Sequence, residues 1–324
     1  MILGYHLSSE EHGPNDLVEH ARRAEEAGFA YGVVTDHFHP WIDAQGQSPY
    51  VWSVLGGIAR KTTRLRVGTA VTCPLFRMHP SLVAQAAATA AIMFEGRFFL
   101  GAGTGERLNE HILSDAWPSN VRRQAMLEEA IGLIRLLWRG GTHTFEGRFF
   151  TVDRARIYSL PPDPPPIYLG AVGRRAAQLA GRIGDGLIST SPSADVRAFD
   201  ESGGAGKPRH GELLVCCAET RERAIETVMR QWPLPGLPSG ILTELATPSQ
   251  FSQAAQDVTP DALKGSVVLG PDPAEHIQAI ERYAQAGFDH VHIHQIGPDQ
   301  QSVFRLYERE ILPQVGRIAV GARA

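Results

Sequence analysis

The sequence predicts an α/β protein whose parallel strands and helices close into a (β/α)8 barrel, the TIM-barrel architecture. Eight mostly apolar runs of strand length occur along the 324 residues, and longer amphipathic segments separate most of them. Two of those segments end in an Ala-Gly-Phe step, at residues 27–29 and 286–288, where glycine favours a left-handed helix end. A doubly wound open sheet is the alternative, but its glycine fingerprint does not follow the first strand.

The predicted elements alternate along the chain as a parallel barrel requires. The strands cover residues 2–6, 31–34, 65–71, 98–102, 167–171, 186–189, 213–218 and 290–295. Pro80 in a first turn and Thr220 as a cap mark two helix starts. The helices cover residues 16–27, 51–61, 80–93, 121–139, 174–183, 221–231 and 273–286.

Two insertions interrupt this alternation, one after the fourth strand and one after the seventh. Residues 142–158 predict a hairpin that turns at Glu146-Gly147. Residues 232–260 are rich in proline, glycine and serine and are too long for a simple connection. We interpret the second insertion as a lid or substrate-facing segment on a single domain spanning residues 1–324.

The composition excludes several classes of function. Hydrophobic residues make up 43 % and charged residues 20 % of the chain, which is typical of a globular protein. A net charge of -4 without a basic block argues against a nucleic acid or an acidic membrane as partner. No long apolar run and no signal region at the N-terminus are apparent, so we expect a cytoplasmic protein.

Neither the cysteines nor the histidines predict a metal site. The three cysteines lack metal-ligand spacing and are interpreted as buried small residues. His290, His292 and His294 alternate on the last strand and therefore share one side of it. A metal site could be built there, but we favour histidines of the barrel core or the barrel mouth.

Reactive side chains gather where the first four strands end. In a parallel barrel these strand ends meet at one face, where chemistry is carried out. A carboxylate, an imidazole and an indole in one cavity suit proton transfer beside a flat redox-active ring. Each alone has a structural alternative, such as a helix cap for Asp36 or packing for Trp41. The residues concerned are Glu10, Asp36, His37, Trp41, Cys73, Gly105, Glu106 and Asn109.

Several short motifs together resemble the F420-dependent dehydrogenases of the luciferase-like superfamily, in particular the glucose-6-phosphate dehydrogenase type. Any one of them alone would be a weak signal. The motifs are Gly4-Tyr5, Asp36-His37-Phe38 with Pro40-Trp41, Phe76-Arg77, His79-Pro80, Gly103-Thr104-Gly105-Glu106 with Leu108-Asn109-Glu110, and Ala180-Gly181-Arg182 with Gly184-Asp185-Gly186.

The resemblance implies the coenzyme F420 and a role for each site residue. His37 is the base that takes the proton of a substrate hydroxyl as hydride goes to C5 of the deazaflavin. Glu106 is the acid near N1, and Trp41 packs over substrate and ring. Asp36 contacts the cofactor, and Glu10 is a second active-site carboxylate.

Further positions follow from the same resemblance. Ala70 and Val71 fall where a non-prolyl cis peptide backs the ring. Backbone amides at the end of the fifth strand and the following helix start hold the cofactor phosphate, as helix N-termini commonly do; these residues are Gly170, Ala171 and Gly173. The remaining cofactor-binding positions are Cys73, Gly105 and Asn109, and Thr190 is the substrate-binding position. Barrels of this type commonly form homodimers, so a homodimer is expected.

The sequence departs from the sugar-phosphate members in its basic residues. Those members carry a lysine shortly after the sixth strand, where this chain has only serine, threonine and proline at residues 189–193. Residues 236–256 contain no lysine or arginine, and only Lys264 remains near the short strand before the last predicted helix. A dianionic phosphate would be poorly held, so glucose 6-phosphate is not the expected substrate.

Three functional hypotheses remain. The first is an F420-dependent oxidoreductase acting on an alcohol or sugar-like substrate. The second is an FMN-dependent reductase or monooxygenase on the same fold. The third is a protein that binds a deazaflavin or flavin without catalysis, against which the intact His37, Trp41 and Glu106 argue.

Overall fold

The computed structural model describes residues 1–113 and 116–315. Within them, eight parallel strands close a barrel in the order β1, β2, β3, β4, β7, β8, β9 and β11, and β11 pairs back with β1. The (β/α)8 prediction is therefore confirmed. The strands are β1 (Ile2–Leu7), β2 (Tyr31–Val34), β3 (Arg66–Thr69), β4 (Phe98–Ala102), β5 (His143–Glu146), β6 (Thr151–Ala155), β7 (Ile167–Gly170), β8 (Gly186–Ser189), β9 (Arg209–Cys216), β10 (Val267–Leu269) and β11 (His290–Gln295).

Helices surround this barrel and connect its strands. The buried side chains of the helices are mainly apolar, and the long helices begin and end within a few residues of the predicted bounds. The helices are α1 (Pro14–Ala27), α2 (Val51–Lys61), α3 (Pro80–Met93), α4 (Arg107–Glu110), α5 (Asn120–Leu137), α6 (Arg174–Ile183), α7 (Val196–Phe199), α8 (Arg221–Gln231), α9 (Pro248–Ala254), α10 (Pro273–Gln285), α11 (Gln300–Leu306) and α12 (Leu312–Val315).

Aromatic rings fill the barrel interior where glycines leave room for them. A Cβ atom at Gly4 would lie 2.3 Å from the ring of Tyr31, and one at Gly68 would lie 2.2 Å from the ring of Phe99. Tyr31, Phe99 and Tyr168 form one buried cluster with neighbouring aliphatic side chains. The interior is therefore a packed core, and the chemistry has to lie at the barrel mouth.

The two insertions lie where the sequence predicts them. After β4 and α5, β5 and β6 form an antiparallel hairpin whose turn is closed by a 2.9 Å hydrogen bond from the Gly147 amide to the Phe150 carbonyl oxygen. Residues 232–260 follow β9 and α8 and contain α9, which begins with a capping box formed by Thr247 and Gln250. β10 pairs with β9 at the outside of the barrel.

Several elements differ from the predicted ones. β9 begins at Arg209, four residues before the predicted start, and β3 ends at Thr69. α1 begins at Pro14, two residues before the predicted start. The helix α11, which follows the last strand, was not predicted. Among the described residues, no helix has both the length and the apolar character needed to cross a bilayer.

Candidate active site

His37 and Glu10 face each other at the carboxyl ends of β2 and β1. The Nε2 atom of His37 lies 3.5 Å from Oε1 of Glu10. The Nδ1 atom lies 3.1 Å from the carbonyl oxygen of His39. Because a carbonyl oxygen can only accept a hydrogen bond, the neutral ring carries its proton on Nδ1. The Nε2 atom is therefore the nitrogen that can take up a proton.

The Glu10 carboxylate is fully buried and held by hydroxyl groups. Thr35 donates to Oε2 at 2.6 Å and Ser8 donates to the same oxygen at 3.1 Å. Burial alone would raise the pKa of Glu10, but the charge of His37 and the hydrogen bond from Thr35 oppose it, and the net pKa is lowered. Glu10 is therefore an ionised carboxylate beside the imidazole.

Trp41 connects His37 to the second insertion. Its ring lies 5.0 Å from the His37 ring, measured between centroids, and 5.2 Å from Phe251, with the Phe251 ring nearly perpendicular to it. The backbone amide of Trp41 donates to Oε1 of Gln45 at 2.8 Å. The insertion thus packs directly on the residue that borders the imidazole.

Asn109 fixes the loop that carries His37 and leaves one donor free. Its Oδ1 atom accepts hydrogen bonds from the amides of Phe38 at 2.9 Å and His39 at 3.3 Å. Its Nδ2 group has no hydrogen-bond partner in the described part of the chain, although only 1 % of the residue is exposed. Buried amide groups are normally paired, so Nδ2 is a donor available to a ligand.

Glu106 and Gly105 precede α4 at the end of β4. The Glu106 carboxylate is half-buried and caps no backbone amide of that helix. Gly105 has a φ of 75°, and a Cβ atom there would lie 2.7 Å from Sγ of Cys73. Only glycine fits this position, which brings the Glu106 loop close to Cys73. Burial raises the pKa of the Cys73 thiol well above its usual value, so the thiol stays neutral.

Asp36, Arg77 and Glu110 form a buried network behind the loop. Asp36 accepts from Thr72 at 2.8 Å through Oδ2 and from the Arg77 guanidinium at 2.7 Å through Oδ1. The Arg77 amide donates to Glu110 at 2.8 Å. Burial raises the pKa of Glu110 to about 7 although Arg77 opposes this. Arg77 and Glu110 were quoted in the sequence motifs, but their pairing with Asp36 was not predicted.

The expected cofactor-backing segment lies at the ends of β3 and β7. The peptide bond between Ala70 and Val71 is cis, as the resemblance implies. A Cβ atom at Gly170 would lie 3.5 Å from the Val71 side chain, so these two strand ends are in contact.

Two of the residues expected to hold a phosphate, Ala171 and Gly173, differ in whether nearby backbone amides are already hydrogen-bonded. The amide of Ala171 donates to the carbonyl oxygen of Ile188 at 2.8 Å, so it is already used in the barrel, and its expected role at the phosphate stays a prediction. Gly173 precedes α6, and no side chain caps the amides of that helix. The first turn of α6 therefore remains able to bind an anion.

Thr190 lies in the exposed turn after β8. In the same turn, the hydroxyl groups of Ser191 and Ser193 are 2.7 Å apart, and the Ser189 hydroxyl donates to the Ser191 carbonyl oxygen at 3.1 Å. Thr190 and Gly173 are the two predicted site residues that are exposed. The hydroxyl groups of these serines are hydrogen-bonded to each other or to the backbone of the turn.

A histidine and carboxylate cluster lies inside the barrel. His292 and His294 are buried, as the alternation on β11 predicted, whereas His290 is half-buried. His294 contacts Glu212 at 2.8 Å and Glu11 at 3.2 Å. Glu212 was missed because the predicted seventh strand began one residue later, at its first apolar run.

The chain is similar to several known proteins. The family model described as luciferase-like monooxygenase matches residues 3–290. An F420-dependent glucose-6-phosphate dehydrogenase of Nakamurella multipartita is 38 % identical, over 98 % of this chain and 97 % of that protein.

Solved structures share the fold as well. An F420-dependent secondary alcohol dehydrogenase, in complex with an F420-acetone adduct, superposes with a TM-score of 0.90 at 31 % identity, covering 96 % of this chain and 98 % of that one. A coenzyme F420-dependent tetrahydromethanopterin reductase from Methanopyrus kandleri has a TM-score of 0.79 at 21 % identity, covering 97 % and 99 %. The second likeness concerns the fold alone.

Proposed function

Because this chain belongs to the luciferase-like monooxygenase family, we propose that it is an F420-dependent oxidoreductase acting on an uncharged secondary alcohol. Bound F420 would supply, at C5 of its deazaflavin ring, the carbon that exchanges a hydride with the alcohol. One observation carries this proposal. The His37 and Glu10 pair lies at the same barrel mouth as the Asn109 Nδ2 donor, which has no hydrogen-bond partner among the described residues. The cofactors printed for the related dehydrogenases support the choice of F420.

The residues at the mouth fit this coenzyme. When bound, F420 supplies a hydride-accepting carbon and a ring whose N1 side becomes negative. Asn109 offers a buried donor to the ring. Glu106 offers a carboxyl group that accepts no hydrogen bond from the amides of α4. The uncapped first turn of α6 after Gly173 offers amides to the phosphate. A donor, an acid and an anion site are thus available at strand ends of one face.

His37 serves as the base for the substrate hydroxyl. Its Nδ1 atom is engaged with the carbonyl oxygen of His39, so Nε2 accepts the proton. The imidazolium then carries its positive charge 3.5 Å from the Glu10 carboxylate, which stabilises it. Only 9 % of the His37 side chain is exposed, and Trp41 covers one side of it. Water is thereby kept from the proton-transfer pair.

Glu106 serves as the acid on the N1 side of the ring. Its carboxyl group is half-buried and caps no amide of α4, so it can act on a ligand that excludes water from it. Asp36 is already held by Thr72 and Arg77, so it acts by fixing the loop.

The distribution of cationic groups favours an uncharged substrate. Lys264 is paired with Asp261 at 2.9 Å, and Arg77 lies between Asp36 and Glu110. The turn after β8 offers hydroxyl groups rather than a lysine. A phosphate dianion would lose its water without meeting an unpaired cation at Lys264, Arg77 or the turn after β8.

Residues 232–260 act as a lid over the alcohol. Phe251 of α9 packs on Trp41, and one apolar cluster contains Phe251, Trp232 and Leu234 with Ile42 of the loop after Trp41. Apolar side chains above the imidazole suit an alcohol with aliphatic substituents. Their contact with Trp41 links the position of the insertion to the substrate pocket.

The substrate proposal is tested by comparing propan-2-ol with glucose 6-phosphate as hydride donors, following the loss of oxidised F420 absorbance. We expect kcat/KM for propan-2-ol to exceed that for glucose 6-phosphate by about 100-fold or more, because the phosphate lacks a cationic partner.

A matched variant is Ser193→Lys, which places a cation in the exposed turn after β8. It should raise kcat/KM for glucose 6-phosphate and leave the value for propan-2-ol unchanged. Faster turnover of glucose 6-phosphate than of propan-2-ol by the wild-type protein would contradict the proposal of an uncharged substrate.

A further inference from the structure

We propose that the barrel interior contains a site for a divalent transition-metal ion, formed by His6, Glu212 and His294. The three residues lie on β1, β9 and β11, which are neighbours in the barrel. One ligand atom from each lies within 4.8 Å of the others. Their side chains are 4 %, 11 % and 0 % exposed, respectively. The proposal is independent of the F420 reaction.

The donor set and its spacing suit zinc or a similar ion. The Nδ1 atoms of His294 and His6 lie 2.8 Å and 3.4 Å from Oε1 of Glu212. Two imidazoles with one carboxylate form a known zinc and iron(II) donor set. Bonds of about 2.0–2.1 Å around a tetrahedral zinc ion separate its ligand atoms by about 3.3 Å. A shift of the Glu212 carboxylate together with a rotation of the His6 ring would therefore admit the ion.

Glu11 supplies the support that metal-bound histidines usually have. The Nε2 atom of His294 lies 3.2 Å from Oε2 of Glu11. The other carboxylate oxygen of Glu11 accepts a hydrogen bond from the Gly297 amide at 2.8 Å. A carboxylate on the far nitrogen fixes the ring orientation and strengthens the near nitrogen as a ligand. His294 is therefore oriented with Nδ1 toward Glu212.

His6 is the proposed ligand whose ring makes no hydrogen bond in the described part of the chain. Neither ring nitrogen has a hydrogen-bond partner among the described residues, and the residue is 5 % exposed. The ring lies parallel to that of His294 with 4.1 Å between centroids, so coordination requires it to turn out of this stack. No hydrogen bond is broken by that rotation, and the ion would satisfy a buried nitrogen that is otherwise unpaired.

The charges of the cluster also favour a cation. The carboxylates of Glu11 and Glu212 both lie against the His294 ring, at 3.2 Å and 2.8 Å. A divalent ion would offset the charge of these two carboxylates. The ion would link β9 and β11 to β1, at the place where the last barrel strand, β11, pairs with the first. Its expected effect is stabilisation of the closed barrel.

The test is the metal content and melting temperature of the full chain purified from zinc-supplemented cells. After dialysis in metal-free buffer, we expect about one zinc ion per chain. Removal of zinc by a chelator should lower Tm by about 5 °C. His6→Leu and Glu212→Gln should contain no bound zinc and show no chelator effect.

His210→Leu is the matched control. His210 is also a buried barrel histidine with two unpartnered nitrogens, but no described carboxylate lies within ion-pair distance of it. This variant should keep its zinc and its chelator effect. The proposal is overturned if the wild-type protein lacks stoichiometric zinc, or if His6→Leu or Glu212→Gln retains it. Glu212→Gln preserves the shape of the core, so its metal content remains measurable if His6→Leu fails to fold.

Discussion

Replacing His37 with alanine should lower kcat for alcohol oxidation by about 100- to 10 000-fold, the range typical of a lost general base. The imidazole Nε2 is the nitrogen available for the hydroxyl proton, and Glu10 stabilises the charge that develops on the ring. Binding of F420 should remain, because no role in holding the coenzyme is assigned to the imidazole. Steady-state turnover and fluorescence quenching of F420 measure the two quantities separately.

The matched control for this variant is His39→Ala. His39 lies two residues along the same loop, and its Nδ1 atom faces the carbonyl oxygen of Leu108 at 3.0 Å. We expect its kcat to stay within about tenfold of the wild-type value, since this imidazole has no carboxylate partner within residues 1–113 and 116–315 and no proton is assigned to it in the reaction. Unchanged turnover in His37→Ala with F420 still bound would show that another group removes the proton.

Glu106→Gln should lower kcat by about 10- to 1000-fold while F420 remains bound. Glutamine can still donate a hydrogen bond to the N1 side of the ring, but it cannot deliver a proton as negative charge develops there. The loss should therefore appear in kcat more than in the dissociation constant of F420. Single-turnover reduction of F420 and coenzyme titration measure these effects.

Glu244→Gln provides the comparison for Glu106→Gln. Glu244 is exposed and follows Thr243, whose carbonyl oxygen accepts from the Arg107 amide next to Glu106. The Glu244→Gln substitution removes the same negative charge near the barrel mouth but leaves the proposed acid, Glu106, in place. Equal turnover in Glu106→Gln and Glu244→Gln, with the same F420 affinity, would remove Glu106 from the proposed chemistry.

The barrel was predictable because most parallel strands are buried on both faces and appear as apolar runs. Residues 31–34 and 98–102 are such runs, and their observed bounds equal the predicted ones. β9 departs from this rule in its first half. Arg209 and Glu212 are polar there, and their partners Asp200 and His294 come from other parts of the chain. A pattern of local hydrophobicity cannot detect a polar residue that is paired through the fold.

The site was predictable in its residue types but not in its connections. The resemblance brought His37 and Glu10 to one mouth, and they are adjacent there. The anchoring of Asp36 by Arg77 spans 41 residues of sequence, and the contact of Asn109 with Phe38 spans 71. Such contacts join residues that are far apart in the sequence, and they form only when the strand ends meet in the closed barrel. The same holds for the pairing of Glu212 with His294.

The most direct test of the F420 proposal is a pair of titrations of the purified protein, one with F420 and one with FMN, following quenching of each cofactor's fluorescence. We predict a Kd for F420 of about 1 μM or lower and binding of FMN weaker by about 100-fold or more. Tight FMN binding with weak F420 binding would contradict the account and assign the barrel to flavin chemistry.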